Sequence, residues 1–262
     1  MPTVLAIMAH PDDIEITCAG TLALLKQAGW DVYMATMTAG DLGSMSLPRK
    51  KIAAVRRKEA AAAAALLGAR YACLGFNDLT IAYSEEAKRR VSGLLRDARA
   101  DIVITHPAVD YMADHEETCR LVREAAFAST IPNWNATFAG KRTRPCEKLP
   151  ALLYSDPIEN VNHSGQRSAA RYVVDITSVM ALKEQMLATH ASQRDWLKAQ
   201  HGEDEYLKSM HRWGADRARD FGRTSVRFAE GFNPHLGHAF PHADVLTPVL
   251  GKARVKTNRN IL

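Results

Sequence analysis

Short apolar runs alternate with longer segments of helical periodicity through the first half of the chain. Val4–Ala9 is a continuous apolar run of strand length. Ile16–Ala28 follows, with apolar residues at Ile16, Leu22, Leu24 and Leu25 and a closing Gly29, the pattern of a helix with its stop signal. Val32–Thr38 predicts a second strand, and the alanine-rich stretch from about Pro48 to Leu67, ended by Gly68, predicts a long helix. Within it, Ala60–Ala65 offers a small-residue face able to lie close to a sheet. Tyr71–Leu74, Glu85–Arg99, Ile102–Thr105 and Asp114–Ala128 continue the alternation as strand, helix, strand and helix. Such alternation implies βαβ units, hence parallel strands joined by right-handed crossovers.

Beyond Ile131 the pattern loosens. Asn133–Pro150 reads as loop, Leu152–Tyr154 and Tyr172–Ile176 as strands, Ser178–Trp196 and Glu203–Arg219 as helices, and Val226–Phe232 as a last strand. No internal repeat interrupts this order. The expected fold is α/β: a Rossmann-like, mostly parallel sheet flanked by helices. It is read as a single domain over residues 1–262, with a core to about residue 130 and a C-terminal α+β extension after it.

Composition narrows the function classes. Of 262 residues, 47% are hydrophobic, ample for a large core, and the net charge of +5 is mild. The basic residues interleave with acids on the expected helices, which reads as solvated helix faces and excludes a nucleic-acid partner from the expectation. The four cysteines, Cys18, Cys73, Cys119 and Cys146, form no CxxC pair, which argues against a disulfide framework and against a cysteine zinc site. No charged leader precedes the first apolar run, and no segment has the length of a membrane span. The expectation is a soluble, cytoplasmic protein; the oligomeric state stays open, a homo-oligomer included.

The chemistry sits where two strands stop. Val4–Ala9 ends in His10-Pro11-Asp12-Asp13-Ile14-Glu15, and Ile102–Thr105 ends in His106-Pro107, with Asp110, Asp114 and His115 close behind. Neighbouring parallel strands would bring the two segments face to face at the carboxyl edge of the sheet, where open α/β folds place their sites. His10, Asp13 and His115 can supply a His₂Asp set with a fourth position left open, the ligand count of a catalytic zinc. Asp12, adjacent to a ligand, is then the candidate base for the attacking water. Plainer roles exist: Asp12-Asp13 and Asp114 also suit helix N-caps, and a single histidine is more often structural. His190, within an expected helix, reads as half-buried structure.

The segment Ala9-His10-Pro11-Asp12-Asp13-Ile14-Glu15 together with Asp114-His115 resembles the PIG-L/LmbE-like zinc-dependent deacetylases, and the resemblance runs to about Ala128. It implies hydrolysis of N-acetyl groups on N-acetylglucosamine-type substrates or their conjugates. It also implies Zn²⁺, with Fe²⁺ acceptable to the same donors, His10, Asp13 and His115 as metal ligands, and Asp12 as general base. Arg56 and Glu59 lie in a stretch similar to the family's R-x-x-E helix segment, whose arginine contacts sugar. Asp78 is similar to an acid that meets sugar hydroxyls, and Asp110 joins them as a substrate-binding candidate. Thr38-Ala39-Gly40-Asp41-Leu42-Gly43-Ser44 resembles a loop bordering the family's site.

One departure stands out. Many members carry a histidine three residues before the last ligand, for the acid or oxyanion role, and here that position is Met112. A thioether does neither job. His235, His238 and Tyr111 are the candidate substitutes, unless Asp12 returns its own proton. Rival functions are a metal hydrolase of another amide or ester, and a non-catalytic sugar-binding module. A nucleotide-binding version would need a G-x-G-x-x-G after the first strand, where this chain has His-Pro-Asp-Asp.

Overall fold

The computed structural model describes residues 1–201 and 204–258, the side chains of 199–201 apart. Strands β1 (Thr3–Met8), β2 (Asp31–Thr38), β3 (Arg70–Phe76) and β4 (Ile102–Thr105) fall where the apolar runs predict them. The second half adds β7 (Ala151–Ser155), β8 (Tyr172–Asp175), β9 (Ala229–Pro234) and β10 (Val255–Thr257) to the same sheet; the small hairpin β5 (Thr137–Phe138) and β6 (Lys141–Arg142) interrupts the expected loop. The order across the sheet is β10-β8-β9-β7-β4-β1-β2-β3. From β7 to β3 all neighbours run parallel, whereas β9, β8 and β10 join antiparallel.

Along β1 every residue is buried, and alternate side chains enter opposite layers. Val4, Ala6 and Met8 pack with Ile14, Leu22 and Leu25 on one face; Leu5, Ile7 and Ala9 pack with Val91, Leu94 and Leu121 on the other. A strand covered on both faces has to be apolar at every position, which is why Val4–Ala9 shows no alternation. The helices α1 (Asp13–Thr17), α2 (Ala19–Gln27), α3 (Arg49–Leu66), α6 (Met180–Ala188) and α8 (Glu205–Ala218) serve the first face or border it. Helices α4 (Glu85–Ala98) and α5 (Ala113–Ala128) serve the second.

Two helices that the periodicity joins are broken in the structure. Ile16–Ala28 is split at Cys18, whose backbone leaves the helical region at φ −145°, and helix already begins at Asp13. Ser178–Trp196 is split between α6 and α7 (Ala191–His201), with His190 in the gap. The expected Glu203–Arg219 helix is α8; Glu203 itself lies outside the described residues. The last strand starts at Ala229 rather than Val226, and α9 (Thr247–Leu250) and β10 carry no periodic signal long enough to read.

The chain runs outward from β1 through β2 to β3, then returns to place β4 on the other side of β1. The crevice between the carboxyl ends of β1 and β4 is therefore the switch point of the sheet. His10 and His106 leave it side by side.

Candidate active site

His10, Asp13 and His115 converge at that crevice. Asp13 Oδ2 lies 3.4 Å from His10 Nδ1 and 3.6 Å from His115 Nε2. A tetrahedral ion with bonds of about 2.0–2.1 Å separates its ligand atoms by roughly 3.3 Å; Asp13 stands near that spacing from both rings, and the three donor atoms lie within 4.8 Å of one another. The far side of each ring is held by a carboxylate. His10 Nε2 is 3.0 Å from Asp114 Oδ2, and His115 Nδ1 is 3.1 Å from Asp110 Oδ1. Each histidine then donates outward and turns its lone pair inward, the usual support for a metal-ligating imidazole. His115 Nε2 is buried with no hydrogen-bond partner, as a nitrogen awaiting a cation would be. These residues fit a metal ion, and Asp114 spends its Oδ2 on both His10 and the Leu79 N–H rather than on a helix cap.

Charge in the cluster is strongly coupled. Burial opposes the ionised form of Asp13, but the His115, His10 and His106 rings around it outweigh that and hold its carboxyl well below the usual range. Burial also works against protonated His10, yet its bonds to Asp114 and Asp13 keep its pKa up at about 10, so a cation taken by this ring would displace a proton to reach its lone pair. His106 goes the other way: burial, then the neighbouring His115, push it down to about 4, so it is neutral. His106 stacks on His115 with centroids 3.9 Å apart, and its Nε2 accepts the Ala9 N–H at 3.0 Å. Its place is to pack the ligand ring against the strand end.

Asp12 stands apart from the ligands. Its backbone is left-handed, φ 96°, a conformation that Asp and Asn tolerate better than most residues. Asp12 Oδ2 accepts the Tyr206 hydroxyl at 2.6 Å and Arg56 Nη2 at 3.3 Å; the same Nη2 donates to the Pro11 carbonyl at 2.7 Å. Burial raises the Asp12 carboxyl above its ordinary range despite the Arg56 charge, which makes it a stronger base. Burial and the adjacent Asp12 keep the Tyr206 phenol protonated. The loop after β2 closes over Arg56: a Cβ on Gly40, where φ is +69°, would sit 2.3 Å from its Nη1, so only glycine lets the loop lie there.

Above the cluster opens a cavity of about 580 Å³ whose wall includes His10, Asp12, Asp13, Arg56 and Asp78. Asp78 is locked by a reciprocal bridge, its Oδ2 accepting Leu42 N–H while its own N–H bonds Asp41, and its Oδ1 is buried without a partner. Tyr111 and Met112 also line the cavity, whereas Asp110 does not: it sits behind His115. Glu59 is turned to the N–H and hydroxyl of Ser192, at the first turn of α7. His235 and His238 are absent from the wall. The chain leaves β9 antiparallel to β7, so His235 emerges at the amino edge of the parallel strands, where its N–H bonds Leu152 and its Nδ1 meets Tyr154.

Sequence reasoning missed the wall that the C-terminal half supplies. Gln193, Trp196, Tyr206 and Trp213 line the cavity from α7 and α8. His190 is fully buried rather than half-buried, 3.5 Å from Glu15 behind Asp12. No local pattern marks these residues, because each is recruited by tertiary packing. The positioning of His115 predicts one clear outcome: Asp110→Asn will weaken binding of a divalent metal by about 10- to 100-fold, measured by competition with a chelating indicator, since the amide no longer fixes the ring as the carboxylate does. Unchanged affinity would remove Asp110 from that role.

Comparison with known proteins agrees with this geometry. The family model for GlcNAc-PI de-N-acetylase (PIG-L) matches residues 5–126. The diacetylchitobiose deacetylase of Thermococcus kodakarensis is 30% identical over 196 residues, covering 72% of this chain and 69% of that protein. The 4-oxalmesaconate hydratase of Pseudomonas putida is 26% identical over 243 residues, covering 87% and 86%. Among solved structures, the N,N'-diacetylchitobiose deacetylase of Pyrococcus horikoshii superposes with a TM-score of 0.74 at 28% identity, over 92% of this chain and 88% of that one. The residues matched by the family model include both strand ends and every residue of the His₂Asp cluster: the chain belongs to the PIG-L (LmbE-like) deacetylase family.

Proposed function

We propose that this protein is a zinc-dependent N-deacetylase that removes the acetyl group from an N-acetylated amino sugar of the GlcNAc type or from its conjugate. The observation that carries the reading is the placement of Asp12: a carboxylate made more basic by burial, next to a His₂Asp cluster but committed to none of its ligand positions. A divalent ion held by His10, Asp13 and His115 would supply Lewis acidity to the acetamide carbonyl and to the attacking water. Zinc is the ion assigned; ferrous iron suits the same donors.

Asp12 takes the proton from water as the new C–O bond forms, and passes it to the amine nitrogen as the C–N bond breaks. Arg56 and Tyr206 hold the carboxylate in one orientation for both transfers. With Met112 in place of a titratable side chain and His235 and His238 off the cavity wall, we assign the return of the proton to Asp12 and leave Tyr111, the candidate substitute that does line the cavity, as a donor for the oxyanion. Asp78, with a free buried oxygen in the wall, is the acceptor for a sugar hydroxyl.

Tyr206→Phe keeps the ring and deletes the 2.6 Å bond. It is expected to lower kcat about tenfold with little change in KM, because a hydrogen bond to a charged group is lost where orientation matters. Steady-state acetate release checks this, and a kcat within twofold of the parent would discard the orienting role. The function itself is tested by acetate release from N-acetylglucosamine glycosides with zinc content measured. Metal-loaded protein that releases none sinks the reading.

A second reading, hydration of an unsaturated carboxylic acid, is favoured by the extent of the match to the Pseudomonas putida hydratase. The wall speaks against it. Asp12, Asp13, Asp78 and Glu205 face Arg56 as the one guanidinium among the described lining residues, and Arg56 is already engaged by Asp12 and Pro11. A polyanionic substrate needs several free cations, and beyond the metal cluster the described wall offers no arginine or lysine that is not already engaged.

A further inference from the structure

We infer that the substrate of this enzyme is an uncharged glycoside bearing an apolar arm, an alkyl or aryl aglycone, and that the arm lies against the C-terminal wall of the cavity; the inference rests on the deacetylase reading. The cavity, at about 580 Å³, is of the size that encloses a drug-sized ligand, more than one acetamido sugar requires. Its chemistry is divided. The acids and Arg56 gather at the metal cluster, whereas Ile158, Trp196, Leu197 and Trp213 form an apolar wall contributed by the second half of the chain.

A second sugar ring would ask this wall for several hydroxyl partners, and its few polar side chains are each already engaged with protein through one atom. Gln193 Nε2 donates to the Gly43 carbonyl at 2.8 Å. Glu205 Oε1 accepts Ser209 Oγ at 2.9 Å and Arg212 Nη1 at 3.1 Å. Trp196 Nε1 is buried without a partner, an open donor suited to one ether oxygen such as a glycosidic linkage. On the opposite side, Leu42, Leu79 and Tyr111 line the cavity while remaining 41%, 66% and 59% exposed. Apolar side chains clustered and exposed at the rim of a binding cavity mark a surface that a ligand covers. Arg56, already held by Asp12 and Pro11, is the one lysine or arginine among the described lining residues, so the wall offers no free cationic side chain of that kind to pair a sugar phosphate.

The test separates this inference from the deacetylase reading by measuring binding as well as turnover. Zinc-loaded, full-length protein is titrated calorimetrically with methyl and with hexyl β-D-glucopyranoside, which have no acetamide to cleave. Full burial of a methylene is worth about fourfold in affinity, so partial burial of the added five should make the hexyl compound at least about tenfold tighter. The hexyl-to-methyl ratio in kcat/KM for the corresponding N-acetylglucosaminides should follow. Trp213→Ala, and independently Leu79→Ser on the opposite rim, should collapse that ratio in both assays. Equal affinity for the two glucosides overturns the inference, as does binding of N,N'-diacetylchitobiose or of N-acetylglucosamine 6-phosphate as tightly as the hexyl glycoside. A hexyl preference without acetate release from any glycoside supports the apolar subsite and overturns the deacetylase reading alone.

Discussion

Asp12→Asn is expected to cost about 10²- to 10⁴-fold in kcat while leaving the metal in place, the range typical of a lost general base. The substitution is chosen because it changes one thing. Asparagine is nearly the same shape, and it tolerates the left-handed backbone that Asp12 adopts at φ 96°. Its amide oxygen can still accept from Tyr206 and Arg56, so the support around it survives. What disappears is the capacity to take a proton. Asp12 is not one of the side chains, His10, Asp13 and His115, that would hold the ion, so zinc content should match the parent within about twofold. Acetate release and metal analysis on the same preparation decide it. Near-parental turnover with zinc bound would show that another group takes the proton. Loss of zinc together with activity would make Asp12 part of the metal site instead.

The parts of this site legible in the sequence are those set by local pattern at strand ends. An unbroken apolar run of strand length that stops at His10-Pro11-Asp12-Asp13 reads as a covered strand delivering charge at its edge, and β1 is covered on both faces. The same logic applies to Ile102–Thr105, whereas its place beside β1 rather than β3 is a crossover that βαβ order leaves open and the fold supplies. Helix breaks were illegible because nothing local causes them. No Gly or Pro stands at Cys18 or at Thr189-His190. The second break forms because His190 is drawn into the interior beside Glu15, and Glu59 takes over the N–H of Ser192.

Distance in sequence hid the rest. Tyr206 reaches Asp12 across 194 residues, from an amphipathic helix in which a tyrosine is an ordinary packing residue. The expectation for His235 and His238 failed to place them at the cavity for a topological reason. It located a Gly- and Pro-flanked segment near a site without the direction of the strand before it. β9 runs antiparallel to β7, so its end lies opposite Leu153 and the chain exits away from the carboxyl edge. A strand's direction depends on how the extension folds back onto the sheet, which periodicity does not encode. The histidine pair was a sound chemical candidate at the wrong end of the sheet.

How the two halves of the chain are fastened gives the largest stability effect. Lys183, on α6, and Glu230, on β9, form an ion pair at 2.6 Å with side chains 3% and 2% exposed. Glu230 also accepts the Gly20 and Thr21 N–H groups at 2.9 and 2.7 Å and the Thr21 hydroxyl at 2.6 Å, so it satisfies donors in the first turn of α2. Lys183 completes the joint by donating to the Ile16 carbonyl at 2.8 Å. Every partner lies between Ile16 and Thr21, just past the Asp12-Asp13 turn. Lys183→Met removes the cation, keeps most of the volume, and leaves a carboxylate buried among neutral groups. Breaking such a pair costs about 3–5 kcal/mol, equivalent to a fall in Tm of roughly 10 °C for a chain of this size. Adding Glu230→Gln should restore much of the loss, since the uncompensated charge, rather than the missing attraction, is what destabilises. Thermal unfolding of the single and double variants measures both steps. A single variant within about 2 °C of the parent would mean that the helix N-terminus alone suffices to hold the Glu230 charge, and that the metal-bearing turn is anchored by packing instead.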